Sequence, residues 1–343
     1  MLCLDEYKRP RQNMLTIAIP TCNRADTLPA LLDSILSQLD DCKGCDVNVV
    51  ISDNASTDST KRVVDDYSAR SPGFISYFRN EKNFGYSRNV DLAVRRSSGD
   101  FVLLMSDDDA LEDGALAKIA SIIGEHGDDA DLIFISALPY DVDLAVPSRA
   151  RRIDGGERFF SDGRDYLRHT RAFPPALVSG YVVRKSSWDD MGHADIHVKS
   201  IIVHMLVALE ICLAGRGVVV SSCELIKYRT ANISSTTTLT WGKHPLFPFV
   251  FYLDCLQGLK DSIQHCPHAL KKILYAAGIR TIVLYLIRQK VVLHPFDKKG
   301  FYGWFGRVAN WRSPYTWMAY CVRITPRILL KMCFGWLVRR YPI

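Results

Sequence analysis

Residues 100–111 read DFVLLMSDDDAL. Phe101–Met105 is an unbroken apolar run, the pattern of a strand buried on both faces. It ends in three carboxylates, Asp107, Asp108 and Asp109. Mutual repulsion and desolvation both oppose such a cluster unless something positive binds there. The plainer reading is a solvated turn that caps the next helix, since Asp is a good N-cap. The sharper reading is a cation site, and the flanking sequence decides between them.

Upstream, the same alternation recurs. Met14–Pro20 (MLTIAIP) is a short β-branched run that suits a buried strand, and Leu28, Leu31, Leu32, Ile35, Leu36 and Leu39 follow at helical spacing. Val47–Ser52 is a second strand, with a helix in the stretch KRVVDDYSAR (61–70). FISYFRN (74–80) is a third strand, and NFGYSRNVDLAVRRSSG (83–99) turns through a glycine into a helix leading to Phe101. Strands alternating with helices predict right-handed crossovers and a mostly parallel sheet, with ligands outside the carboxyl ends of its strands. Thr21-Cys22-Asn23-Arg24, the 53–58 loop (DNASTD) and Asp107–Asp109 each follow a strand, so all three gather at one rim. One binding site accounts for them together, whereas solvated turns must be invoked three times. Carboxylates there suit Mg²⁺ or Mn²⁺ with oxygen ligands. Mg²⁺ takes only one or two protein carboxylates and completes its shell with phosphate and water, which implies a diphosphate-bearing ligand.

In order and spacing, IAIPTCNRADTLPALLDSI, VVISDNASTDST, NFGYSRNVDLA and DFVLLMSDDDAL resemble the family 2 glycosyltransferases of the GT-A fold, over about Leu15 to Leu116. The resemblance implies a Rossmann-like α/β domain whose first motif and Asp53 surround a nucleotide base. The segment with Arg88 and Asn89 then lies beside the nucleotide-sugar. Carried over, Pro20, Thr21, Asn23, Arg24, Asp53, Asn54, Arg88 and Asp107 become donor-binding candidates, and Asp108, Asp107 and Asp109 metal candidates, with Asp108 favoured. The family's acidic motif reads Asp-x-Asp-Asp, and Ser106 stands here where its first Asp would fall. Against this, Arg24 and Arg88 also read as surface cations, and Asp58 as a cap on the helix that follows it.

Pro174–Gly192 (PPALVSGYVVRKSSWDDMG) reads as a strand over Val178–Val183 and a helix start, and resembles the acceptor-side segment of the same family. There an acidic pair on a helix, eleven or twelve residues before a glycine, supplies the base of an inverting displacement. Counting back from Gly215 lands on Val203 and His204. Histidine is chemically competent as a base; the alternatives are that His204 packs in its helix and that Asp195 or Glu210 serves. The histidine also resembles a subgroup of bacterial surface-polysaccharide transferases, the abequosyltransferase-like enzymes involved in O-antigen and lipopolysaccharide synthesis.

The chain has 343 residues and a net charge of +6, unevenly spread. From Arg288 onward eleven Lys/Arg face Asp297 alone, giving about +10 and leaving about −4 for the rest. Trp304, Trp311, Trp317 and Trp336 interleave with those cations. Such a segment suits the membrane interface, though an ordinary helical bundle packed on the catalytic domain also fits. Arg323, Arg327 and Lys331 argue against spanning, and no nucleic-acid motif is present. No signal-peptide pattern opens the chain, and the scattered cysteines suit reduced thiols; Cys42 and Cys45 lack the partners of a zinc site. The expected organisation is a GT-A domain over 14–230, with halves at about 14–116 and 117–230. A helical, basic-aromatic extension would follow over 245–343. The expected activity is metal-dependent, inverting transfer of a hexosyl or deoxyhexosyl unit from a nucleotide-diphosphate donor to a hydroxyl of a lipid-linked bacterial glycan, at the inner face of the cell membrane. A nucleotidyltransferase would want a Gly-rich phosphate loop, which PTCNRADT (20–27) lacks. A non-catalytic, membrane-surface nucleotide-binding module is the other alternative.

Overall fold

The computed structural model describes residues 13–230 apart from 43–44, 153, 171–173, 176 and 192–202. The extension expected over 245–343, and Asp195, lie outside the described residues. The chain begins β1 (Asn13–Thr21), α1 (Leu28–Leu36), β2 (Cys45–Asp53), α2 (Thr60–Arg70), β3 (Ile75–Arg79), α3 (Tyr86–Arg96) and β4 (Phe101–Leu104). This is the alternation expected from sequence. β1 and β2 run a residue or two beyond the apolar pattern, whereas α1, β3 and β4 stop short of it and the strand expected over Val178–Val183 starts only at Tyr181. β5 (Ala110–Leu111), α4 (Ala115–His126), β6 (Ala130–Tyr140), β7 (Glu157–Phe160) and α5 (Gly163–Thr170) follow. β8 (Tyr181–Arg184), α6 (Lys185–Asp190), α7 (Val203–Leu213) and β9 (Gly217–Arg229) complete the described elements.

The described strands form one sheet in the order β3-β2-β1-β4-β8-β6-β9-β5, with β7 also on β9. β3, β2, β1 and β4 are parallel, as right-handed crossovers require. β8 then runs antiparallel between β4 and β6, β9 is parallel to β6, and β5 and β7 are antiparallel to β9. Antiparallel β7 and β8 come from the second half, where the sequence carries no βαβ rhythm, and β5 from the end of the first.

The core is continuous with this sheet. Leu15, Ile17 and Ile19 of β1, Val49 and Ile51 of β2, and Phe101 and Leu103 of β4 are buried with Leu28, Leu31, Leu32 and Ile35 of α1. Full burial of each such side chain contributes about 1.5–3 kcal/mol. Register sets the rim. Thr21 pairs with Asp53, Asp53 with Arg79, and Ala18 with Leu104, so β1, β2, β3 and β4 deliver their carboxyl ends side by side. Tyr181 at the start of antiparallel β8 pairs with Leu104 and so sits at that same end. Gly180 makes the preceding turn, at φ +95, with Ile135 O only 2.7 Å from where a Cβ would stand. Only glycine fits there.

Candidate active site

The loops after β1 and β2 are knitted into one piece. Asn23 adopts a left-handed backbone conformation, φ 55, which Asn tolerates better than most residues. Its Oδ1 accepts from Thr57 N (2.7 Å), Thr57 Oγ1 (3.3 Å) and Asp58 N (3.3 Å), and its own amide donates to Ser56 Oγ at 2.8 Å. Arg24 N donates to Thr60 Oγ1 (2.9 Å) and Ala25 N to Asp58 Oδ2 (3.1 Å). Asp58, one residue before the N-cap Ser59, accepts through Oδ1 from Thr60 N (3.0 Å) and Thr60 Oγ1 (2.6 Å) at the start of α2. Its partial burial opposes ionisation, but those bonds outweigh it and lower its pKa.

Asp53 lies beneath this layer, fully buried. Its Oδ1 accepts from Ser56 N (2.9 Å) and Ser56 Oγ (2.5 Å), and its Oδ2 from Tyr77 OH (2.5 Å), with Arg79 Nε at 3.8 Å. Asn54 is equally committed. Its Nδ2 donates to Asn83 Oδ1 (2.8 Å) and Gly85 O (3.2 Å), while its Oδ1 accepts from Asn80 Nδ2 (3.0 Å) and Phe84 N (2.9 Å). Buried Asn89 donates to Thr21 O (3.3 Å) and Ser52 O (2.8 Å). Thr21 and Pro20 are the last residues of β1, in the same layer. Arg88 sits near the start of α3, with Nη1 3.2 Å from Asp91 Oδ2. The fully buried Asp91 also receives Arg95 Nε (2.9 Å) and Trp188 Nε1 (3.1 Å).

The acidic loop faces this assembly. Arg24 is 7% exposed, with Nε 3.3 Å from Asp107 Oδ1 and Nη2 3.7 Å from Asp108 Oδ2. It is no surface cation. Ser106 Oγ donates to Asp108 Oδ1 at 2.5 Å, so the residue replacing the family's first Asp steadies the third carboxylate-motif position instead. Asp109 is 1% exposed; its Oδ2 accepts from Ser179 Oγ (2.5 Å) and its Oδ1 from Arg229 N (3.0 Å). Arg229 Nε also donates to Asp108 O at 2.7 Å. The triplet caps no helix, because β5 follows it and pairs with β9. Burial pushes Asp107 up, against the pull of Arg24, and burial together with Asp108 pushes Asp109 up to about 7. Tyr86 and Tyr228, both partly exposed, lie within the field of these carboxylates. Burial first, then the nearby carboxylates (all three for Tyr86, Asp109 and Asp108 for Tyr228), raises both phenols.

The geometry separates the three metal candidates. Asp107 and Asp108 point oxygens at one guanidinium, at distances beyond the 2.7–2.9 Å typical of a charge-assisted hydrogen bond. Two carboxylates so placed fit a hard divalent ion that takes its remaining ligands from phosphate and water. Asp109 spends both oxygens inside the protein, and among the described residues no three His, Cys, Asp or Glu side chains form a closed cage. Ser179 and Arg229 position the loop and carry no local sequence signal, since they lie 70 and 120 residues from Asp109.

His204 is 2% exposed in α7, whose residues from Val203 to Cys212 are buried except Glu210. Its ring stands edge-on to Tyr181, centroids 5.2 Å apart. Through Tyr181 it is at the rim end of the sheet, and in this conformation it is packed rather than open. Glu210 lies farther along α7, partly buried. Cys42 and Cys45 have thiols pushed up by burial, Cys45 to about 11, and Cys45 is the first residue of β2.

Residues 16–177 match the model of glycosyl transferase family 2. The abequosyltransferase RfbV of Salmonella typhimurium is 28% identical over 207 residues, 58% of this chain and 61% of that protein. A Campylobacter jejuni beta-1,3-glucosyltransferase named for GalNAc(5)-diNAcBac-PP-undecaprenol is 35% identical over 31% of this chain and 33% of its own length. The chain thus spans less than two thirds of the length of these relatives. Among solved structures, S. aureus TarS 1-349 in complex with UDP-GlcNAc superposes with a TM-score of 0.56 at 19% identity, covering 90% of this chain and 79% of that one. The mannosyltransferase PcManGT from Pyrobaculum calidifontis, in complex with GDP-Man and Mn²⁺, gives 0.50 at 15% identity, covering 94% and 87%. Those two likenesses show the fold. Sheet order and the match over 16–177 agree, and residues 16–177 of the chain are similar to glycosyl transferase family 2.

Proposed function

We propose that the protein transfers a sugar from a nucleotide-diphosphate donor to a hydroxyl of a bacterial surface glycan. The observation that carries this reading is the convergence of Asp107 and Asp108 on buried Arg24 at the carboxyl ends of β1 and β4. The relatives' names support the surface-glycan assignment, one of them naming an undecaprenol-linked glycan. The structural neighbours bind UDP-GlcNAc and GDP-Man, which supports a nucleotide-sugar donor.

In this reading the knitted 21–25 and 53–60 loops form the nucleotide half of the site, and Asp53 and Asn54 act mainly by holding those loops. Asp107 and Asp108 would hold Mg²⁺ or Mn²⁺, as the Mn²⁺ in one neighbour's complex supports. When bound, that ion neutralises charge developing on a departing diphosphate. Asp109, Ser179 and Arg229 keep the acidic loop in place. His204 is the proposed base: its position at the rim end supports the role, and accepting a proton requires a path from that packed position to the acceptor hydroxyl. Inversion follows from a single in-line displacement by that hydroxyl. The basic, Trp-rich stretch after Arg288 would hold the protein on an anionic membrane face, where a lipid-linked acceptor resides.

The test is release of nucleoside diphosphate from UDP-, GDP-, CDP- and dTDP-sugars by the purified protein, with and without EDTA. Turnover of one donor that is lost in EDTA and in Asp108→Asn supports the reading. Full turnover in both conditions removes the metal from it, and cleavage of none removes the transferase.

A further inference from the structure

Arg24 raises a question of charge. It is buried and sits on the two carboxylates that, in the reading above, must receive a divalent cation. Arg24 faces one oxygen of each carboxylate, so a divalent ion on the same pair would meet its positive charge at short range. We infer that Arg24 is an exchangeable counter-cation. It neutralises Asp107 and Asp108 while the site is empty and swings to the donor's diphosphate when metal takes the carboxylates. This inference rests on the proposed metal-diphosphate site and adds a role that the family match does not assign to Arg24.

Three observations support the exchange. The ion pair is loose, at 3.3 and 3.7 Å, and is not the close, forked pairing that fixes an arginine permanently. The backbone is held independently of the guanidinium, through Arg24 N to Thr60 Oγ1 at 2.9 Å and through the Asn23 and Asp58 bonds on either side. The side chain is therefore free to move without the loop. Finally, the charge is unbalanced: one guanidinium faces two carboxylates, with buried Asp109 next to them in the chain. The acidic loop has room for more positive charge than Arg24 supplies. Once a divalent ion sits there, repulsion drives the guanidinium off, and an adjacent diphosphate is its natural partner.

The consequence is thermodynamic coupling: metal and diphosphate each favour the state in which Arg24 has left the carboxylates, so each strengthens the other's binding. The experiment is calorimetric titration of the full chain with Mn²⁺ alone. A second titration, in saturating Mn²⁺, uses whichever of UDP, GDP, CDP or dTDP stabilises the protein most. Removing the competing cation in Arg24→Gln should tighten Mn²⁺ alone by about fivefold or more while weakening the nucleotide by about tenfold. Arg24→Lys, which keeps a cation, should hold Mn²⁺ near the wild-type affinity and recover part of the nucleotide affinity. Opposite movement of the two ligands in Arg24→Gln is the signature, because misfolding would weaken both. Unchanged or weaker Mn²⁺ binding in Arg24→Gln, with wild type binding both ligands, overturns the exchange and leaves the metal site standing. No Mn²⁺ binding in any of the three proteins overturns the metal site and the exchange together.

Discussion

At the residue scale, the acidic triplet divides its labour. Asp107 and Asp108 face Arg24, while Asp109 is enclosed between Ser179 and Arg229. The enclosure has a measurable cost. Asp109 is raised from an ordinary 3.8 to about 7 by burial, so the fold favours its protonated form. The group's contribution to stability is therefore complete below about pH 4 and is lost as pH rises through about 7. In EDTA, urea unfolding should show about 1 kcal/mol more stability at pH 6 than at pH 8, and Asp109→Asn should flatten that difference. His204 invites a second comparison. As the base, its loss in His204→Ala should lower kcat roughly a hundredfold with little change in nucleotide affinity, and wild-type activity should fall as acid protonates the imidazole. Near-normal kcat in that variant, beside a collapse in Asp195→Asn or Glu210→Gln, would move the role to that carboxylate.

At the element scale, strands β1 to β4 were legible because each is an apolar run followed by a polar loop, and the run's length fixes where the rim falls. Asp53, Asn54 and Asn23 were legible as rim residues, but not what their side chains do. Their partners, such as Tyr77, Asn80 and Thr57, lie 24 to 34 residues away, and pairing at that distance leaves no periodic trace. The same holds for the wedge of β8 between β4 and β6, since a four-residue strand carries no mark of its direction. α7 is apolar on nearly every side, so pattern alone could not tell which face His204 would occupy. Asn54 offers a test of this level. All four capacities of its amide are used, so Asn54→Ala strands a buried donor on Asn80 and frees the exposed 83–85 turn from β2. Thermal or urea unfolding should show a loss of about 2 kcal/mol or more. A loss below about 0.5 kcal/mol would mean the amide network does not hold the loop.

At the scale of the whole molecule, the charge asymmetry remains the strongest feature beyond the sheet. Among the described residues no helix is long and apolar enough to cross a membrane, and the membrane contact proposed above is the basic stretch after Arg288. Deleting residues 296–343 should release the protein from anionic vesicles, and added salt should weaken binding of the intact chain. Equal sedimentation of both forms with vesicles would remove the tail from that role. The central claim is that the rim where β1, β2 and β4 end binds a nucleoside diphosphate through a cation on Asp107 and Asp108. A ligand that binds only the folded protein must raise its melting temperature. The direct measurement is a thermal-shift series of UDP, GDP, CDP and dTDP, each with Mn²⁺ and with EDTA, on wild type and Asp108→Asn. The account predicts that one nucleotide raises the Tm of wild type only when Mn²⁺ is present, and that Asp108→Asn does not respond. A shift equally large in EDTA or in Asp108→Asn, or no shift with any of the four, would contradict it.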